Sequence, residues 1–201
     1  MQSDTTIILA FDTSAAQCAA VLLRGDDVIA HQNKELGRTQ VEQLFPMLED
    51  MMQGANCSWQ ALDALAVCTG PGNFTGTRIG VSAARGLAMS LKIPAIGVSI
   101  FEAAALNAAK NENGLITVGV ALPRSQFAMQ KFGAGRPPTA LSPPEISDTG
   151  EISAYSVADI AKAARLILAS GANPPQAKPL YLRPADAAPA KDQPPVILND
   201  R

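Results

Sequence analysis

The stretch Leu65-Ala66-Val67-Cys68-Thr69-Gly70-Pro71-Gly72-Asn73-Phe74-Thr75-Gly76-Thr77-Arg78-Ile79-Gly80 changes character twice, and those changes decide the fold class. The apolar run 65–68 is the length of a strand buried on both faces. Three glycines and a proline then make a loop, and helical spacing over about 77–91 follows, closed by Pro94. Strand, glycine-rich loop and helix in that order predict an α/β crossover. Glycines that open onto a helix N-terminus allow close backbone approach, and the free N–H groups there favour an anion. The loop is not of the Walker type, because Thr77-Arg78 follows Gly76 where a Lys-Ser/Thr pair would stand. The competing reading is structural: the glycines let the turn tuck beneath a neighbouring chain. Within the helix, Gly80, Ala84 and Ala88 form a stripe of small residues, suited to close packing either inside the domain or against a partner.

Upstream, Thr6-Ile7-Ile8-Leu9-Ala10-Phe11 is a nearly continuous apolar run that ends in Asp12-Thr13-Ser14. It predicts a central strand with an acidic residue and two hydroxyls at its carboxyl end. Such a group can hold a hydrated magnesium and phosphate oxygens, or simply close a strand-end turn through the Asp12 side chain. Residues 18–23 and 28–32, joined by Gly25-Asp26-Asp27, predict two further strands in an antiparallel meander. Thr39 and Glu42 have capping-box spacing ahead of a helix over residues 39–53 that carries Leu44, Met47, Leu48 and Met51, with Gly54 at its end. Downstream, a strand at 95–98, a helix at 102–109 and a strand at 115–122 complete the order βββαβαβαβ. Eleven of the fifteen prolines lie beyond Phe132. That leaves one clear helix there, residues 157–169, on the face Ile160, Ala164, Ile167 and Leu168, and a tail at 187–201 that frays.

Composition narrows the function. With 47% hydrophobic and 17% charged residues the 201-residue chain has ample core material, which excludes wholesale disorder. A net charge of −2 without a Lys/Arg cluster argues against tight, unaided binding of RNA or DNA. Cys18, Cys57 and Cys68 lack CxxC spacing and His31 is the single histidine. They read as buried, reduced thiols and a half-buried strand residue rather than a zinc site. No HExxH or GxSxG motif supports a peptidase. Residues 1–6 lack the features of a secretory signal, and no apolar run approaches the ~18 residues of a membrane span. A cytoplasmic protein is expected.

Ile8-Leu9-Ala10-Phe11-Asp12-Thr13-Ser14 together with Gly70-Pro71-Gly72-Asn73-Phe74-Thr75-Gly76-Thr77-Arg78-Ile79-Gly80 resembles the TsaB (YeaZ) family. The family pattern is a first strand ending in DTS and the loop-helix GPGSFTGLRIG, with Asn73 here for Ser and Thr77 for Leu. Glu42-Gln43-Leu44-Phe45-Pro46 and Lys178-Pro179-Leu180-Tyr181-Leu182-Arg183-Pro184 are also similar to that family. The likeness covers residues 5–110 and returns at 178–186. It implies an actin/Hsp70-like (ASKHA) α/β fold, with a mixed five-stranded sheet in a first lobe over 1–108 and a shortened second lobe with a proline-rich end over 109–201. The implied role is that of a non-catalytic scaffold or activating subunit in making threonylcarbamoyladenosine (t6A) at tRNA position 37. Its implied partners are a TsaD-like subunit, paired through two first-lobe helices, and a TsaE-like ATPase, with self-pairing through the same helices. Little direct tRNA binding and no membrane contact are implied. No catalytic or metal-binding residue is assigned, and no cofactor is tightly bound; ATP or ADP with magnesium would belong to the partner complex.

On this reading the partner interface comprises Gln40, Leu44, Met47, Met51, Gly80, Ala84 and Ala88. Asp12, Thr13, Ser14, Gly72, Thr75 and Gly76 form a vestigial phosphate site. The family's usual His-Ser pair in the first helix is Gln40-Val41 here. An expected Asp-Ala-Arg followed by Val-Tyr is replaced by Ala121-Leu122-Pro123-Arg124-Ser125-Gln126-Phe127. The alternative function is a small ATPase or small-molecule kinase of the same superfamily, using Asp12 and the loop 70–76 on phosphates.

Overall fold

The computed structural model describes residues 5–35, 39–109, 114–122, 125–171 and 173–182. The expectations for 1–4, Pro123-Arg124, Arg183-Pro184 and the tail 187–201 lie outside the described residues. Strands β1 (Ile7–Asp12), β2 (Gln17–Arg24) and β3 (Asp27–Glu35) form the meander, followed by helix α1 (Gln40–Gly54) and a single 3-10 turn, Trp59–Ala61. Then come β4 (Ala64–Cys68), α2 (Phe74–Leu91), β5 (Ala95–Val98), α3 (Ile100–Ala108) and β6 (Leu115–Leu122). The sheet order is β3-β2-β1-β4-β5, antiparallel across the meander and parallel from β1 through β4 to β5. This is the expected five-stranded mixed sheet.

The central position of β1 explains its unbroken apolar sequence. Successive side chains of a strand point to opposite faces, and both faces here are covered. Leu9 and Phe11, with Leu22, Leu65 and Val67, pack beneath α1 and α2. Ile8 and Ala10, with Val21, Ala66 and Cys68, pack on the other face against α3 and the later helix α4 (Val157–Ala169). Helix α4, far beyond the first sheet in sequence, thus returns to cover that sheet. Its bounds are those predicted from its spacing.

Three strands were not legible in the sequence: β7 (Gln126–Gly133), β8 (Thr139–Ala140) and β9 (Glu145–Ser147). They form a second, four-stranded sheet with β6. Strand β7 lacks a branched apolar face; only Ala128 and Phe132 are buried there. It is held by full-length antiparallel pairing to β6, a tertiary contact that overrides weak propensity.

Helix starts also differ from the sequence reading. Helix α2 begins at Phe74 rather than near Thr77, because the Asn73 side chain accepts the Gly76 N–H at 2.8 Å and caps it three residues early. Thr39 precedes α1, but its side chain makes no capping bond. The reciprocal capping boxes form instead at Ser99/Glu102 and Ser156/Asp159, ahead of α3 and α4. His31 is exposed on the edge strand β3 instead of half-buried, and all three cysteines are buried and unpaired. Among the described residues no helix is long and apolar enough to cross a membrane.

Candidate functional site

The strand end Asp12-Thr13-Ser14 and the loop 70–76 meet, as their sequence positions at neighbouring strand ends require. They meet as a closed joint. The Thr13 hydroxyl donates to the Gly76 carbonyl at 2.7 Å, and the Asn73 N–H donates to the Ser14 carbonyl at 2.6 Å. The Ser14 N–H donates to Asp12 Oδ1 at 2.7 Å, the strand-end turn that the sequence allowed. Asp12 Oδ2 accepts from the Tyr155 hydroxyl at 3.0 Å, a residue 143 positions away. Burial first, and the Asp12 carboxylate second, push the Tyr155 hydroxyl far up, so it keeps its proton and stays a donor to Asp12. The same two causes, in the same order, raise the neighbouring Cys68 thiol well above its usual range, which leaves it protonated beside Ser14 Oγ at 3.5 Å.

Backbone packing at this joint leaves little space. A Cβ on Gly72 or Gly76 would strike the backbone of Ser14 or Thr13. Asp12, Thr13 and Ser14 are buried, while Gly72 and Thr75 lie at the surface. A phosphate approaching Asp12-Thr13-Ser14 would have to displace the loop and these hydrogen bonds, so the residues present do not fit that group. Among the described residues no set of three or more His, Cys, Asp or Glu side chains is grouped to hold a metal ion.

The seven residues expected at a partner interface are placed otherwise. Leu44, Met47, Met51, Ala84 and Ala88 belong to the core beneath α1 and α2. Gly80 faces Thr13 and Val67, and buried Gln40 donates from Nε2 to the Ala15 carbonyl at 2.6 Å. The small-residue stripe lets α2 sit close on β1 and β4, and the methionines fill the space under α1. These side chains are spent inside the chain, so the interface residues read from the sequence are corrected.

The outer faces of the same two helices carry a second apolar surface. An open groove of about 740 Å³ runs between them, lined by Val41 and Phe45 of α1 and by Phe74, Arg78, Ser82 and Leu87 of α2 among others. Val41 is 59% exposed, Phe45 42% and Phe74 41%, where Leu44 on the inner face is 1%. At one end the Arg78 guanidinium lies 3.6 Å from the Phe74 ring centre. Arg78 Nε donates to the Tyr181 hydroxyl at 2.8 Å, and the Tyr181 ring stacks 5.2 Å from Phe74. This cluster ties the strap 173–182 to α2 and holds an arginine rigidly at the rim.

Comparison with known proteins follows the same outline. Residues 28–122 match the model of the family described as TsaD, tRNA N6-adenosine threonylcarbamoyltransferase. Over 92 residues the chain is 39% identical to the tRNA threonylcarbamoyladenosine biosynthesis protein TsaB of Escherichia coli (strain K12), covering 46% of this chain and 39% of that one. Over 110 residues it is 38% identical to the protein of that name from Bacillus subtilis (strain 168), covering 55% of this chain and 48% of that one. The solved structure of YeaZ from Pseudomonas aeruginosa superposes with a TM-score of 0.72 at 21% identity, over 88% of this chain and 100% of that one. Over these residues the chain is similar to the TsaB (YeaZ) proteins.

Its fold is that of the YeaZ structures, with the mixed five-stranded sheet as its base. In sequence the match spans under half the length of these curated TsaB relatives. Asn73, where the resembled pattern has Ser, supplies the side-chain cap on α2. Sequence reasoning missed Val41, Phe45, Phe74, Tyr155 and Tyr181 as parts of the site. For Val41 and Phe45 a signal existed: they are four residues apart, off the stripe formed by Leu44, Met47, Leu48 and Met51. Nothing local marks Tyr155, because its partner is distant in the chain.

Proposed function

We propose that this chain acts in t6A synthesis as the non-catalytic partner of a TsaD-related subunit, which docks in the groove between α1 and α2. The observation that carries this reading is the exposed apolar surface of Val41, Phe45 and Phe74 on the outer faces of both helices. An apolar surface capped by a held arginine has the composition of an interface centre, where aromatic and arginine side chains dominate the binding energy. The names of the curated TsaB relatives support the pathway, and the TsaD-related partner is an expectation carried by the family resemblance and supported by the likeness of residues 28–122 to the TsaD model. In this reading a TsaE-like ATPase joins the pair, self-association uses the same groove, and ATP or ADP with magnesium sits in the partner complex.

The joint at Asp12 supports a helper role over the kinase alternative, since its polar groups already bond one another. The test is size-exclusion chromatography with light scattering on the chain alone, on the TsaD-related protein of the same organism, and on their mixture. A heterodimer that is lost in Phe45→Asp, while Met47→Leu retains it, is the expected result. No complex with the wild-type chain, in the presence or absence of ATP and the TsaE-like protein, refutes the reading.

A further inference from the structure

A second cavity lies on the opposite side of the first sheet from the groove. The turn between β2 and β3 supplies Asp26, α3 supplies Leu106, the turn between β7 and β8 supplies Arg136, and α4 supplies Lys162, Arg165 and Leu166. Lys162, Arg165 and Leu166 stand at i, i+3 and i+4 on their helix, so one helix face presents two cations over an apolar contact. The cavity measures about 150 Å³. On that measure roughly 10–15 Å³ holds one water, so there is space for a tetrahedral oxyanion with some of its hydration.

The charges do not balance. Arg165 pairs with Asp26, the one acid among the described lining residues, and its side chain is only 13% exposed against 73% for Asp26. Arg136 and Lys162 have no ion pair or hydrogen bond among the described residues. Among the described residues, three cations from two separate regions of the chain therefore face a small, apolar-walled space with one peripheral carboxylate. Like charges brought together beside a low-dielectric wall repel, and a phosphate anion between them reduces that repulsion while taking charge-assisted hydrogen bonds. Arginine forks match tetrahedral oxyanions in geometry.

We propose that this cavity binds one phosphate group, from a phosphate monoester or from a nucleic-acid backbone. The site is independent of partner docking, since α4 and the α1–α2 groove lie on opposite faces of the sheet. Its failure would therefore leave the proposed function untouched.

The test is isothermal titration of the full chain with inorganic phosphate at low ionic strength. Saturable one-site binding is expected. Arg136→Ala and Lys162→Ala should each weaken it roughly tenfold, the loss of one charge-assisted contact. Asp26→Asn should strengthen it several-fold by removing the opposing charge. Melting curves without phosphate serve as the folding control. Arg136 and Lys162 have no partner to lose among the described residues, so their variants should melt near the wild type, whereas Asp26→Asn takes a partner from the mostly buried Arg165 and should melt lower. Displacement of phosphate by adenosine 5′-monophosphate assigns the source to a free monoester, and displacement by a short RNA stem–loop alone assigns it to a backbone. Absence of saturable phosphate binding, or equal affinity in the wild type and the two alanine variants, overturns the proposal.

Discussion

Gly80→Ala should destabilise the fold, although alanine is the better helix former. A Cβ at position 80 would intrude on the Thr13 hydroxyl and come within 3.3 Å of Val67 Cγ2. Thr13 is 1% exposed and its hydroxyl donates to the Gly76 carbonyl, so it has no empty space to turn into. Overpacking a close-packed site costs about 1–3 kcal/mol, and loss of the buried hydrogen bond about 1 kcal/mol more. The gain in helix propensity returns only about 1 kcal/mol. The net is a loss of about 2 kcal/mol. At roughly 2–4 °C per kcal/mol for a chain of this size, Tm should fall by about 4–8 °C.

Gly86 provides the control, because it lies on the same helix and a Cβ there meets nothing within 4 Å. Gly86→Ala should gain about 0.5–1 kcal/mol. Urea unfolding followed by circular dichroism, with the fluorescence of Trp59 as a second probe, measures both. Equal stability of the two variants would refute the packing argument. If Gly80→Ala kept full stability yet lost the TsaD-related partner, the small-residue stripe would be a partner surface after all.

Phe45→Asp should leave Tm within a few degrees of wild type, because the ring is 42% exposed, while weakening partner binding at least tenfold; chromatography of the mixture reads this directly. Tyr155→Phe removes the hydroxyl bonded to Asp12 Oδ2 and should cost about 1–2 kcal/mol in urea unfolding, and an unchanged midpoint would show that water replaces it. The thiols give a pH test. Burial, then Asp12, raises Cys18 from the ordinary 9.0 to about 11, and Cys68 is raised as well. A raised folded value means that the stabilisation is complete below pH 9 and is lost as pH climbs towards 11 and beyond. Unfolding free energy should therefore fall over that interval. At pH 8 both thiols should resist alkylation until urea exposes them, and rapid labelling of the native chain would contradict their burial.

The local sequence was sufficient for elements whose signal is their own periodicity. Residues 7–11 can be apolar throughout only if both faces of the strand are covered, and that requirement places β1 at the centre of the sheet. Helix α4 announces itself by its spacing even among prolines. The order of strands in the five-stranded sheet follows from strand lengths, turn residues and right-handed crossovers. The Asp12 turn and its meeting with loop 70–76 follow in turn, since both stand at the carboxyl ends of adjacent parallel strands.

Tertiary structure decided what depends on groups far apart in the chain. Helices α1 and α2 carry apolar residues on two sides, and periodicity alone does not say which side meets the sheet. Contact with Leu9, Phe11 and Val67 assigned Leu44, Met47, Ala84 and Ala88 to the interior and left Val41, Phe45 and Phe74 outside. The joint at Asp12 is closed by Tyr155 from 143 residues away, the groove rim by Tyr181 from 103, and the cationic cavity pairs Arg165 with Asp26 from 139. A local sequence window holds one member of each pair, and the chemistry of the site belongs to the pairs.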